Sequence, residues 1–152
     1  MAVGKSTVGP VLAARLGRGF VDLDAAVVAA SGRSVADVFA GSGEAGFRAA
    51  ELRALEAAVA RPGVVVSLGG GTLHQPAARR VLRAAGARCV LLRARWETVA
   101  PRIAASDRPL APQASALYAA RSAAEDRCAA PAVWVDGRTA DSVADAILAV
   151  LS

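Results

Sequence analysis

Four short runs of β-forming character, Phe20-Val21-Asp22, Val64 to Ser67, Arg88 to Leu92 and Ala132 to Val135, are separated by stretches of helical character. Strands joined through helices run parallel, because a parallel pair needs a crossover of a dozen or more residues. The fold class expected is α/β, a parallel sheet flanked by helices. A length of 152 residues is that of one domain, residues 1–152. Aromatic residues make up only 4% of the chain while 55% of it is hydrophobic, so small aliphatic side chains must fill the core between regular elements.

The helices carry their own punctuation. Val8, Val11, Leu12 and Leu16 recur at helical spacing and stop at Gly17-Arg18-Gly19. Ala25 to Ala30 reads as a helix ending at Ser31-Gly32, and Ser34-Val35-Ala36-Asp37 opens another short helix like a capping box, with Asp in place of Glu. Glu44 to Val59 is a long run of helix formers closed by Arg61-Pro62-Gly63. Further helices are expected from about Pro76, over Trp96 to Ala105, over Ala114 to Ala129, and over Ala140 to Leu151 with Val143, Ile147 and Val150 on one face. Ser106 to Gln113, with two prolines, is expected to be a mobile loop.

Several classes of protein are set aside by composition. The apolar runs Val64-Val65-Val66 and Cys89-Val90-Leu91-Leu92 fall far short of the roughly 20 residues that cross a bilayer. No signal-peptide pattern follows the start, so a cytoplasmic location is expected. Cys89, in an expected buried strand, and Cys128, in an expected helix, are not closely paired, and the lone His74 has no metal-ligand spacing around it; both thiols read as packing groups. The net charge of +5 comes from scattered arginines and not from a run interleaved with aromatics, which favours small anionic ligands over nucleic acid.

Four groups of residues carry chemistry. Gly4-Lys5-Ser6-Thr7 opening an amphipathic helix is the second half of a phosphate-binding loop, in which Lys5 reaches the β- and γ-phosphates of a nucleotide and Ser6 ligates Mg²⁺; an ordinary helix start is the alternative. Asp22 and Asp24 lie two apart at a strand end, so their carboxylates can flank one site on extended backbone, or else form a strand-to-helix cap. Arg48 and Glu51 share a helix face and could be a surface ion pair. Gly69-Gly70-Gly71, directly after a valine strand, either admits a ligand to the backbone or is a flexible turn.

In this order and at these separations, Gly4-Lys5-Ser6-Thr7, Asp22-Leu23-Asp24, Gly43-Glu44-Ala45-Gly46-Phe47-Arg48, the triple glycine, Arg108-Pro109-Leu110 and Arg121 resemble the shikimate kinase family, essentially from Met1 to Ser152. The resemblance implies a three-layer P-loop kinase fold and ATP-dependent phosphorylation of the shikimate 3-hydroxyl, with Mg²⁺ and with ATP as co-substrate. It implies that Gly4, Lys5, Ser6 and Thr7 bind ATP, that Asp22 holds Mg²⁺ through water beside Ser6, and that Asp24 orients or deprotonates the attacking hydroxyl. Arg48, its guanidinium held by Glu51, and Arg121 would bind the substrate carboxylate, with Gly69, Gly70 and Gly71 against the ring and Phe47 as core support. Arg108 would be a catalytic lid arginine on a loop near residues 106–115. Arg102 would stack on adenine or stand as an exposed helix residue. A monomer with no nucleic-acid or membrane partner is implied.

This sequence also departs from the family's pattern. The family's first strand, central in its sheet, and first loop glycine would lie before Met1, so Met1 is expected to be an internal Met of a longer reading frame and the neighbouring strands to lack a partner. Ala2 replaces a glycine, the Arg108 to Arg121 segment is shorter, and Ala123 and Glu125 stand where Pro and Tyr are usual. Two other readings are a related kinase, such as one for gluconate, and a truncated, non-catalytic protein that binds anions.

Overall fold

The structure is a computed structural model that describes residues 2–105, 115–116, 118–120 and 130–152. The expected lid near 106–115 with Arg108, and likewise Arg121, Cys128 and most of the helix expected over 114–129, lie outside the described residues.

Helix α1 (Lys5–Arg15) grows from Gly4, whose carbonyl accepts from the amides of Thr7 and Val8 at 3.0 and 2.9 Å. Strand β1 (Gly19–Asp22) ends at a carboxylate that turns the chain at once. Asp22 Oδ1 accepts from the amides of Asp24 and Ala25 at 3.0 and 3.3 Å and so caps α2 (Leu23–Ser31). That cap corrects two expectations: α2 starts before Ala25, and Asp24 lies in its first turn, not on extended backbone.

The two helices expected over residues 34–59 form one element, α3 (Val35–Val59), broken at Gly43, where φ is 64° and ψ is −175°. Its cap behaves as its sequence implied. Ser34 Oγ accepts from the Asp37 amide at 3.1 Å and donates to Asp37 Oδ2 at 2.6 Å, which holds the Asp37 carboxyl below its ordinary range. Then follow β2 (Val64–Ser67), a 3₁₀ turn (Thr72–His74), α4 (Pro76–Ala84), β3 (Leu91–Arg93), α5 (Trp96–Ala104), β4 (Ala132–Trp134) and α6 (Ala140–Leu151). Strand β3 is shorter than expected because only Leu91 to Arg93 pair with β4, opposite Ala132 to Trp134. Cys89 therefore precedes the strand, partly buried against the cluster around Leu23 and Leu55.

Among the described residues all pairing is parallel, as alternation required, and it forms two separate pairs. Gly19 to Asp22 of β1 lie opposite Val64 to Ser67 of β2, while β3 pairs with β4. Among the described residues β2 and β3 are not hydrogen-bonded to each other; apolar side chains bridge them instead. Val65 and Leu92 pack on a core built from Val8 and Leu12 of α1, Val99 and Ile103 of α5, and Val143 and Ile147 of α6. A second cluster joins Leu23, Leu55, Ala78 and Leu82, and a third joins Val27, Val38 and Phe47. Phe47 is 4% exposed and meets Phe39 with ring centroids 4.6 Å apart, so it is core support as expected. Arg15 pins α1 to α6 through Asp141 at 2.7 Å and through Asp145. Among the described residues no helix is long and apolar enough to cross a membrane.

Past the end of β4, Asp136 ties the last strand to the start of α5. Its Oδ1 accepts from Thr98 Oγ1 at 2.5 Å and from the Arg95 amide at 3.0 Å, which together hold the carboxyl below its ordinary range, the Thr98 hydroxyl contributing most. A carboxyl lowered in the folded state adds stability that is present above the unfolded value, about 3.9, and is lost as pH falls through the folded one. The Asp136 contribution to Tm should therefore be constant above about pH 5 and be lost progressively below about pH 4. Thr98→Val should lower Tm near neutrality and make that acid decline shallower; melts with an unchanged acid slope would count against the tie.

Candidate active site

The first turn of α1 carries Lys5 and no acidic side chain, so its amides and the helix dipole present positive charge where the loop ends. Ser6 Oγ donates to Asp22 Oδ2 at 2.5 Å, while the other oxygen of Asp22 caps α2. The cap reading and the ligand reading of Asp22 thus fall on different oxygens of one carboxylate. Gly4 to Thr7, Asp22, Asp24, Gly69, Gly70 and Arg102 line one cleft of about 460 Å³. Arg102 donates to the Ala2 carbonyl at 3.3 Å at its edge.

Part of the cleft lining was missed by sequence reasoning. Val135, Arg138, Ala140 and Val143 belong to it, and Arg138 is fixed by Ser142, donating to its carbonyl at 2.7 Å and its hydroxyl at 3.1 Å. The signal that could have found it was the Asp136-Gly137-Arg138 turn after the last strand.

Arg48 and Gly71 are not among the residues lining this cleft; they lie against each other next to its glycine wall. Arg48 Nη1 donates to Glu51 Oε2 at 2.9 Å, and its Nε and Nη2 meet Oε1 of the exposed Glu44 at 3.3 and 3.2 Å. Glu51 is 0% exposed, which overturns a surface ion pair. Thr72 Oγ1 donates to Glu51 Oε1 at 2.6 Å and Gln75 Nε2 to Oε2 at 2.7 Å, two partners not anticipated from the sequence.

This network explains the glycines. A Cβ at Gly69 would run into Glu51 Oε1 and come within 3.1 Å of Thr72 Oγ1 and 3.4 Å of Asp24 Oδ1. At Gly71 it would run into the Arg48 guanidinium, 2.6 Å from Cζ. The close approach at these two positions is made by the protein's own charged side chains, a packing reason for glycine beside the two readings the sequence offered.

A family model for shikimate kinase matches residues 1–152. The chain belongs to the shikimate kinase family. It is 40% identical over 154 residues to the shikimate kinase of Streptomyces coelicolor, covering 97% of this chain and 89% of that one. It is 48% identical over 108 residues to the shikimate kinase of Chlorobium chlorochromatii, covering 70% of this chain and 56% of that relative. Among solved structures, the shikimate kinase of Acinetobacter baumannii in complex with shikimate superposes with a TM-score of 0.91 at 28% identity, covering 99% of this chain and 88% of that one. The Aquifex aeolicus shikimate kinase superposes with a TM-score of 0.84, also at 28% identity. The fold class expected from alternation is thereby shown.

Proposed function

We propose that this chain transfers the γ-phosphoryl group of ATP to the 3-hydroxyl of shikimate. The observation that carries the reading is the single cleft that joins an anion-binding helix start to Asp24 and to Gly69, behind which buried Glu51 holds an arginine. The shikimate bound to the Acinetobacter baumannii relative supports the choice of acceptor.

Gly4, Lys5, Ser6 and Thr7 bind the phosphates, with the charge of Lys5 on the group in transfer. Asp24 accepts the proton of the attacking hydroxyl and orients it in line. Arg48 offers its Nε and Nη2 edge, shared here with exposed Glu44, to the substrate carboxylate, as a planar guanidinium does best in bidentate geometry. Gly69, Gly70 and Gly71 form the wall beside the ring. Arg102 lies where the adenine end of the nucleotide would sit. Arg108 and Arg121, outside the described residues, serve as lid arginine and second carboxylate-binding arginine, and residues 1–152 form one domain with its lid near 106–115.

The hard oxygen donors of Ser6 and Asp22, already facing each other at 2.5 Å, suit Mg²⁺, and among the described residues no cluster of three or more His, Cys, Asp or Glu competes for it. Held by Ser6 and Asp22, Mg²⁺ would supply charge neutralisation for the phosphates. The enzyme is read as a cytoplasmic monomer without nucleic-acid or membrane partners.

A coupled ADP-release assay tests the reading. Saturable turnover that requires both shikimate and Mg²⁺ is expected, with none on gluconate; no shikimate-dependent rate above background would refute it. One observation favours a second reading, a non-catalytic anion-binding protein: among the described residues β2 and β3 share no hydrogen bonds. Calorimetry separates the two, because a kinase binds ATP with Mg²⁺ dependence.

A further inference from the structure

We propose that Thr72 and Gln75 are positioning residues for the acceptor half of the site: they fix the buried Glu51 carboxylate, so that Arg48 and the Gly69–Gly71 wall form one rigid unit. The proposal rests on the reading that Arg48 binds the acceptor's carboxylate.

A carboxylate with no exposure is stable only if both of its oxygens are met. Arg48 meets one of them, since only Nη1 reaches Oε2. Thr72 Oγ1, itself on a fully buried side chain, meets Oε1 at 2.6 Å, and Gln75 Nε2 adds a second donor to Oε2 at 2.7 Å. Thr72 Oγ1 also lies 3.0 Å from the Gly69 carbonyl, but a hydroxyl has one proton, and the shorter, charged acceptor takes it.

Gln75 is informative for what it does not do. It occupies the N-cap of α4, where a short polar side chain would accept from the helix amides, yet it makes no such bond. Its amide turns inward as a donor to Glu51. An Asp there would cap the helix and repel the carboxylate; the helix start gives up its side-chain cap to the site.

The terminal torsion of a glutamate is broad, so hydrogen bonds and not rotamer preference must set the carboxylate plane. Glu51 Oε1 sits against Gly69 and the Arg48 fork against Gly71. If Oε1 loses its donor, the carboxylate turns, the fork follows, and the wall loses its support. An interaction that orients a binding arginine acts on ground state and transition state alike, so its loss raises KM and spares kcat.

The test is steady-state kinetics of the full chain, varying shikimate at saturating ATP and the reverse, with melts run on each variant. Thr72→Val should raise KM for shikimate about tenfold, the weight of one hydrogen bond to a charged group, with kcat and KM for ATP within about twofold. Thr72→Ser should restore the parent values, and Gln75→Ala should raise the same KM about threefold. A shikimate KM unmoved by Thr72→Val, an equal rise in both KM values, or no rescue by serine would overturn the proposal. If Thr72→Val does not fold, Gln75→Ala decides by the same criterion. A parent protein without shikimate turnover would instead sink the functional reading on which the proposal stands.

Discussion

Asp24→Asn is expected to fold and to lose about two or more orders of magnitude in kcat, the usual contribution of a positioned proton acceptor. Asn keeps the shape and removes the basicity. Asp24 lies in the first turn of α2, where negative charge is favoured by about 0.3–1 kcal/mol, so neutralising it costs little stability. Its Oδ1 points toward the Gly69 wall and thus toward the acceptor side of the cleft. KM for ATP should stay near the parent value, because on the proposed function the phosphates are held from α1. Product release limits many kinases, so a single-turnover measurement is the better readout. A chemical step within about threefold of the parent would remove Asp24 from the role of base.

Glu51→Ala should be the most destabilising single change among the residues around the site. It leaves Thr72 Oγ1 without its charged acceptor in the interior, strips Arg48 of its buried partner and opens a void beside Gly69. Breaking a buried ion pair from one side costs about 3–5 kcal/mol, a large part of the roughly 5–15 kcal/mol that holds a domain folded. Glu51→Gln keeps the volume and should cost less, although one of its amide protons must then face a donor. Denaturant melts check both variants, and a Glu51→Ala loss below about 1 kcal/mol would mean that the network is not as closed as its distances imply.

Local signals carried much of the fold. Gly17 to Gly19, Pro62-Gly63 and Pro76 punctuate the chain because each changes what the backbone can do, whatever lies across the core. Ser34 and Asp37 announced the start of α3 for the same reason. The strand ends were less legible. Whether Arg88 to Val90 join a strand depends on a partner some forty residues away, and the sequence left open whether Asp22 continues extended backbone or caps a helix, which its carboxylate does for α2. The separation of the described strands into two pairs fits the expectation that neighbouring strands lack a partner, which came from the family resemblance and not from any local pattern.

The site was legible in the same uneven way. Lys5, Ser6, Asp22, Asp24, Gly69, Gly70 and Arg102 do meet on one cleft, since loops that follow parallel strands gather at one end of a sheet. Glu51 could be matched to Arg48 by helical spacing alone. Thr72 and Gln75 could not, because they reach Glu51 from another element, and a threonine after glycines reads as a turn residue.

The shared carboxylate of Asp22 has a thermodynamic consequence. One oxygen fastens the start of α2, and with it Asp24, while the other holds the loop hydroxyl of Ser6. Whatever draws on the second oxygen from the nucleotide side acts on the same rigid group that sets where Asp24 stands. On the proposed function, the two substrates would then be linked reciprocally, each altering the other's affinity by the same factor, through a single side chain.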